Sequence, residues 1–297
     1  GRRVSSNVED RRGGGAKAGG ISIIGLIVAF VAWKFFGVDP QQTYQTTKQV
    51  TQGISGATET RGLENPTPEQ QESIEFVGTV LADTEDTWNQ VFQQQLNQQY
   101  VPPKLVLFNG IVNSGCGTAQ AAMGPFYCPA DQKVYIDTAF FKDMRTQMGI
   151  SGEQNATELS RNDQAGDFAL AYVVAHEVGH HIQTILGISS QVQQARQQAS
   201  EVQSNQLSVR QELQADCLAG VWAYHNHQRT QFLEQGDVQE AMDAAHKIGD
   251  DYLQKRARGQ VVPDSFTHGS SAQRVHWFNT GLQSGQIANC DTFNQNI

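Results

Sequence analysis

The sequence predicts an α+β protein, predominantly helical, with one N-terminal transmembrane helix ahead of a single globular body. Three observations carry this. A continuous apolar run follows a basic start. Two short runs of β-branched and aromatic residues stand near the middle. Segments with apolar residues at helical spacing fill most of the second half. A chain of 297 residues holds one substantial domain plus a non-globular segment.

The start carries Arg2, Arg3, Arg11, Arg12 and Lys17 against Glu9 and Asp10. The apolar run goes from Ile21 to Trp33 and extends through Lys34 to Val38. At about 1.5 Å per residue it nearly spans a bilayer core when Lys34 snorkels. Basic residues before the run and acidic ones after it predict a cytoplasmic N-terminus and a body beyond the membrane. The expected organisation is a basic cytoplasmic segment at 1–20, a transmembrane anchor at 21–38, a linker at 39–70 and the body at 71–297. Bulky Trp33-Lys34-Phe35-Phe36 replaces the small-x-small pattern of a cleaved leader.

Within the body, Ile74, Val77, Leu81, Trp88 and Phe92 predict a helix over 72–100, stopped by Pro102-Pro103. Strands are expected over 104–112 and 133–137. A short helix with Phe140, Phe141 and Met144 follows, then a polar loop over 151–163. Gln164 to Leu186 reads as an apolar helix ending at Gly187. Residues 189–203 are polar and Gln-rich, fitting a solvated helix or an excursion. Helices are expected over 208–227, 237–258 and 271–282.

Hydrophobic residues make up 38% and charged residues 17%, with a net charge of −9. That balance repels a phosphate backbone, and no basic patch with interleaved aromatics exists, so nucleic acid is excluded as a partner. Cys116 and Cys128 bracket a Gly-rich stretch and can close a short loop, which leaves Cys217 with Cys290. Three pairings are possible in principle, and buried free thiols are the alternative. Their spacing excludes a zinc-finger site.

His176-Glu177-Val178-Gly179-His180 is an H-E-x-x-H motif. Residues i and i+4 share a helical face, so both imidazoles can meet one zinc ion. Glu177 is then placed as general base toward a water on that ion. Val173, Val174 and Ile182 make the remainder of the helix apolar. A third ligand is needed. The metzincin pattern would require Gly and His where this chain has Gln183 and Leu186, and the inverted motif is absent. Glu212 and Asp216 lie four apart on a second apolar helix. Glu212 can complete a two-histidine, one-glutamate set, and Asp216 can accept the other ring N–H of a ligand histidine.

The motif followed by Glu212-x-x-x-Asp216 resembles the gluzincin pattern. More closely, the chain is similar to the bacterial neutral zinc metallopeptidase family. The resemblance rests on the opening Gly1 to Arg12, on Cys116-Gly117, on Gly124-Pro125-Phe126-Tyr127-Cys128-Pro129 and on His176 to His181. It rests also on Glu212-Leu213-Gln214-Ala215-Asp216-Cys217 and on His268 to Arg274. It implies a zincin-like metallopeptidase domain with one catalytic Zn2+, acting on a peptide or protein substrate. With the apolar run, it implies a single-pass protein of a bacterial cell membrane with its catalytic domain in the periplasm. Thr267-His268-Gly269 with Arg274 is also similar to the Ser/Thr-His-Pro…Arg segment of integral-membrane zinc proteases, with Gly269 at the Pro position. That likeness implies that His268 stabilises the oxyanion and that Arg274 braces Glu212 or Asp216.

His181, about 100° around the helix from His180, is expected to face away from the metal. His225, His227, His246 and His276 are expected to be surface or packing residues. The strand at Val134-Tyr135-Ile136 is the expected edge for pairing with substrate backbone. The rival from another class is a zincin-shaped envelope protein that binds peptides or acts as a chaperone without turnover.

Overall fold

This computed structural model describes residues 3–13, 63, 65–120, 124–138, 140, 159–233, 236–247 and 266–297. The apolar run at 21–38, most of the expected linker and most of the helix after Phe140 lie outside them. Among the described residues no helix is long and apolar enough to cross a membrane. The chain divides into two units, 1–9 with 66–297, and 10–65. In the smaller unit, Arg12 closes on Asp10, with Nε donating to Oδ1 at 2.8 Å.

The larger unit is mixed α+β and mostly helical, as expected. Its helices are α1 (Pro68–Val91), α2 (Leu159–Ile185), α3 (Ile188–Gln197), α4 (Glu201–Thr230), α5 (Asp237–Lys247) and α6 (Ser271–Ser284). Capping boxes at Thr67, Ser200 and Ser270 fix the starts of α1, α4 and α6. The strands are β1 (Val8–Asp10), β2 (Lys104–Phe108), β3 (Ile111–Ser114), β4 (Gly117–Gln120), β5 (Phe126–Cys128) and β6 (Lys133–Asp137).

Among the described residues, one sheet has the order β1-β2-β6-β5, and β3 with β4 forms a separate hairpin. β2 pairs with β6 in parallel, Val106 opposite Tyr135; β5 runs antiparallel to β6. Both faces of the central strands are covered. Leu105, Leu107, Val134 and Ile136 join the helical core, while Val106, Phe108 and Tyr135 meet Val112 and Ala119 of the hairpin. This explains the unbroken apolar run Leu105 to Phe108.

Four expectations are corrected here. The strand expected over 104–112 is two strands, broken at Asn109-Gly110, where Gly110 has φ 76° and donates its N–H to Asp137. The helix expected to run to Tyr100 ends as a π-helical turn at Phe92–Leu96, with Asn97 left-handed at φ 51°. α2 begins at Leu159, inside the expected polar loop. The strand at 134–136 is interior, so the sheet edge beside the helices is β5, not β6.

The start of the chain packs on the larger unit. Glu85 of α1 is buried, and a buried carboxylate needs donors. Arg3 Nη1 donates to its Oε2 at 2.8 Å, and Asn7 Nδ2 donates to its Oε1 at 2.8 Å, joined there by the Ser5 hydroxyl. The Leu105 N–H donates to the Asn7 carbonyl at 2.9 Å as β1 pairs with β2. Residues 3–9 therefore pack with the body.

Candidate metal centre

From Phe168 to Val178 nearly every residue of α2 is buried, so this helix runs through the core. Gly179 sets its distance from α4. A Cβ there would lie 2.9 Å from the Ala215 carbonyl oxygen and 3.1 Å from its Cα. This close approach brings residues 212 and 216 of α4 against His176 and His180. α4 is held to α6 in the same way: Gly220 and Gly281 let the two backbones touch, which positions Arg274.

Glu212 lies between the histidines. Its Oε2 is 3.1 Å from His176 Nε2, and its Oε1 is 3.3 Å from His180 Nε2. One ligand atom from each of His176, His180 and Glu212 lies within 4.8 Å of the other two. The opposite ring nitrogens are occupied. His176 Nδ1–H donates to Asp216 Oδ1 at 2.8 Å, and His180 Nδ1–H donates to Gln183 Oε1 at 2.9 Å. Both Nε2 atoms are thus presented toward Glu212.

Asp216 is fully buried. It accepts from Arg274 Nε at 2.9 Å, from Arg274 Nη2 at 3.0 Å and from the Tyr172 hydroxyl. Of the two expected partners of Arg274, it is Asp216 that the guanidinium holds. Gln183 is fixed in turn, its Nε2 donating to the Gln211 carbonyl at 2.7 Å and to Gln214 Oε1 at 3.0 Å. Gln214 Nε2 donates to the Cys290 carbonyl at 2.9 Å, beside the Cys217–Cys290 disulfide. Cys116 pairs with Cys128, so all four cysteines are oxidised.

The charges show what the cluster wants at its centre. Burial works against a charged His176, yet the Asp216 carboxylate and the Glu212 contact raise its pKa to about 10. His180 is also raised, by Glu212 against burial. Burial opposes ionisation of Glu212, and the two histidines hold it well below the usual carboxylate range. Burial raises Glu177. The site therefore gathers positive charge onto its imidazoles. A divalent cation supplies that charge in place of the protons, and two imidazole nitrogens with one carboxylate oxygen are the donor set zinc takes. The residues fit the metal.

A cleft of about 450 Å³ opens over the trio. Glu177, His268 and Arg274 line it, together with Pro125, Phe126 and Phe140. Thr267 Oγ1 lies 3.1 Å from His268 Nδ1. His181 stands apart, as expected: its Nε2–H donates to the Val101 carbonyl at 2.7 Å and its Nδ1 accepts from the Tyr127 hydroxyl at 3.0 Å. Tyr172 and Gln183 are site residues that the sequence reading passes over. Both stand at helical spacing from a ligand, Tyr172 four before His176 and Gln183 three after His180, and that spacing is the signal for them.

The fold and site define a class: an α+β protein with a two-histidine, one-glutamate cluster able to hold a metal ion, shared by two packed helices. The chain belongs to the family described as "Putative neutral zinc metallopeptidase", whose model matches residues 1–293. It is 46% identical to YpfJ of Escherichia coli (strain K12) over 308 aligned residues, covering 100% of this chain and 99% of that protein. It is 44% identical over 203 residues to Rv2575 of Mycobacterium tuberculosis (strain H37Rv) and to Mb2605 of Mycobacterium bovis, covering 65% of this chain and 63% of each. No solved structure matches it.

Proposed function

We propose that this protein is a zincin-like, zinc-dependent peptidase that hydrolyses peptide bonds in polypeptide substrates. The observation that carries the reading is the convergence of His176 Nε2, His180 Nε2 and a Glu212 oxygen beside buried Glu177, all lining one cleft.

His176, His180 and Glu212 would hold one zinc ion. When bound, zinc acidifies water and polarises a carbonyl oxygen. Glu177 takes a proton from the attacking water and later gives it to the leaving amine. Its raised pKa brings it closer to neutrality, which suits both halves of that task. Asp216 keeps the His176 proton on Nδ1, leaving Nε2 as the metal donor, and Arg274 keeps Asp216 anionic. Gln183 orients His180 similarly without adding charge. His268 donates a hydrogen bond to the developing oxyanion. β5, at the sheet edge and along the cleft, offers backbone groups to an extended substrate. The two disulfides favour an oxidising compartment outside the cytoplasm for the body, and with it for residues 3–9.

Mass-spectrometric profiling of a peptide library tests the reading, using the zinc-loaded full chain beside its Glu177→Gln variant. Cuts made by the wild type and missing in the variant, at equal zinc content, are expected. Zinc bound without any Glu177-dependent cut overturns it in favour of a zincin-shaped binding protein.

A further inference from the structure

A second groove, of about 760 Å³, lies next to the metal cleft. Its lining includes Pro129, Thr184, Ser189, Arg196, Ser204 and Gln211. Three elements run from one depression into the other. On α2, His180 lines the cleft and Thr184, one turn on, lines the groove. On α4, Glu212 lines the cleft and its neighbour Gln211 the groove. At the end of β5, Tyr127 lines the cleft and Pro129 the groove. Thr184 Oγ1 donates to the His180 carbonyl at 3.2 Å, and both Thr184 Oγ1 and Gln211 Nε2 reach Ser189 Oγ, at 3.2 and 3.3 Å. The two depressions are separate but neighbouring, lined by adjacent positions of the same three elements.

The two depressions differ in chemistry. The metal cleft carries aromatic and apolar side chains at Pro125, Phe126, Phe140 and Val173. The second groove is mixed: hydroxyls and amides of Thr184, Ser189, Ser204 and Gln211 stand beside apolar Val192 and Pro129, with one cation, Arg196, and no Asp or Glu. Arg196 is exposed in the last turn of α3, and its Nε donates to Ser204 Oγ at 3.0 Å. None of the groove's lining residues is aromatic, so it lacks the stacking platform that a sugar or a nucleobase would use. Hydroxyls and amides in a row instead match the alternating N–H and C=O groups of an extended polypeptide.

We propose that the substrate of the metal centre is an extended polypeptide with an apolar residue near the scissile bond and an acidic residue on one flank, received by Arg196. This rests on the peptidase reading for its cleft and on the groove for its specificity. Arg196 is a specificity-determining residue, remote from the reacting atoms. A guanidinium accepts a carboxylate through paired N–H donors, whereas at a partly solvated site the gain is modest.

The test uses the zinc-loaded full chain carrying Glu177→Gln, so that bound peptides stay intact. Fluorescein-labelled peptides with a central Phe carry one Glu, Gln or Lys scanned along either flank, and anisotropy gives Kd. Glu is expected to bind roughly three- to tenfold more tightly than Gln at positions on one flank only. Arg196→Ala removes that preference, and Arg196→Glu transfers it to the Lys peptides at the same positions. Equal binding of the three peptides, or a preference that Arg196→Glu leaves in place, overturns the assignment. Turnover is measured in parallel with intact Glu177. Glu177-dependent cleavage without charge preference sinks the groove assignment alone. Charge preference without cleavage sinks the peptidase reading alone, and absence of binding by every peptide sinks both.

Discussion

Asp216 accepts hydrogen bonds from three side chains at once while fully buried, and every one of its partners bears on His176. Neutralising it removes the charge that holds the imidazole tautomer. Asp216→Asn is expected to weaken zinc binding about 10- to 100-fold, measured by chelator competition. Glu177→Gln should keep zinc and lose roughly 10²- to 10⁴-fold in turnover, read on any peptide the wild type cuts. The Asp216 and Glu212 carboxylates raise the pKa of His176 and His180 in the metal-free cluster, so zinc must compete with protons for these nitrogens. Affinity should therefore fall as pH falls, and calorimetry in buffers of different ionisation enthalpy should show net proton release; a buffer-independent heat would contradict the ligand set. The candidate ligands were legible because spacing of four on a helix is a strong geometric statement. Tyr172 and Gln183 obey the same rule but carry no motif to draw attention. The Gln214 contact to Cys290 joins residues 76 apart in sequence, and local pattern holds no trace of it.

At the scale of elements, the site depends on how closely α2 and α4 approach. Gly179→Ala places a methyl against Ala215 backbone, which cannot yield as a side chain would. A loss of about 1–3 kcal/mol in stability is expected, together with weaker zinc binding, measured by thermal unfolding with and without metal. Cys217 follows Asp216 directly, and its disulfide closes a loop with a sequence separation of 73. Cys217→Ser with Cys290→Ser should cost about 2–4 kcal/mol and should loosen the Gln214 to Gln183 relay to His180. Periodicity read α2, α4 and α6 well, since each buries a long apolar face. It misread 104–112 because both halves of that run are apolar; the Asn109-Gly110 dipeptide was the turn signal within it. The π-helical end of α1 has no comparable mark.

At the scale of the molecule, charge and hydropathy suggest a linear plan of tail, anchor, linker and body, yet the first residues cluster with 66–297. A strand of only three residues has too little pattern to be seen, so β1 was invisible until its partner was known. What betrays it afterwards is Glu85: a buried carboxylate on α1 whose donors come from Arg3, Ser5 and Asn7.

That arrangement changes how the protein can be cut. A recombinant chain that starts after the apolar run, intended as a tidy soluble fragment, discards the strand that seals one margin of the sheet. The hydrogen-bonding rim of β2 is then bare, a template for sticking to another copy, and Glu85 loses the donors that residues 3–7 supply. Such a fragment should form concentration-dependent aggregates in light scattering. A synthetic peptide spanning residues 3–13, added in trans, should restore the monomer and raise Tm; if fragment and full chain behave alike, the strand is dispensable.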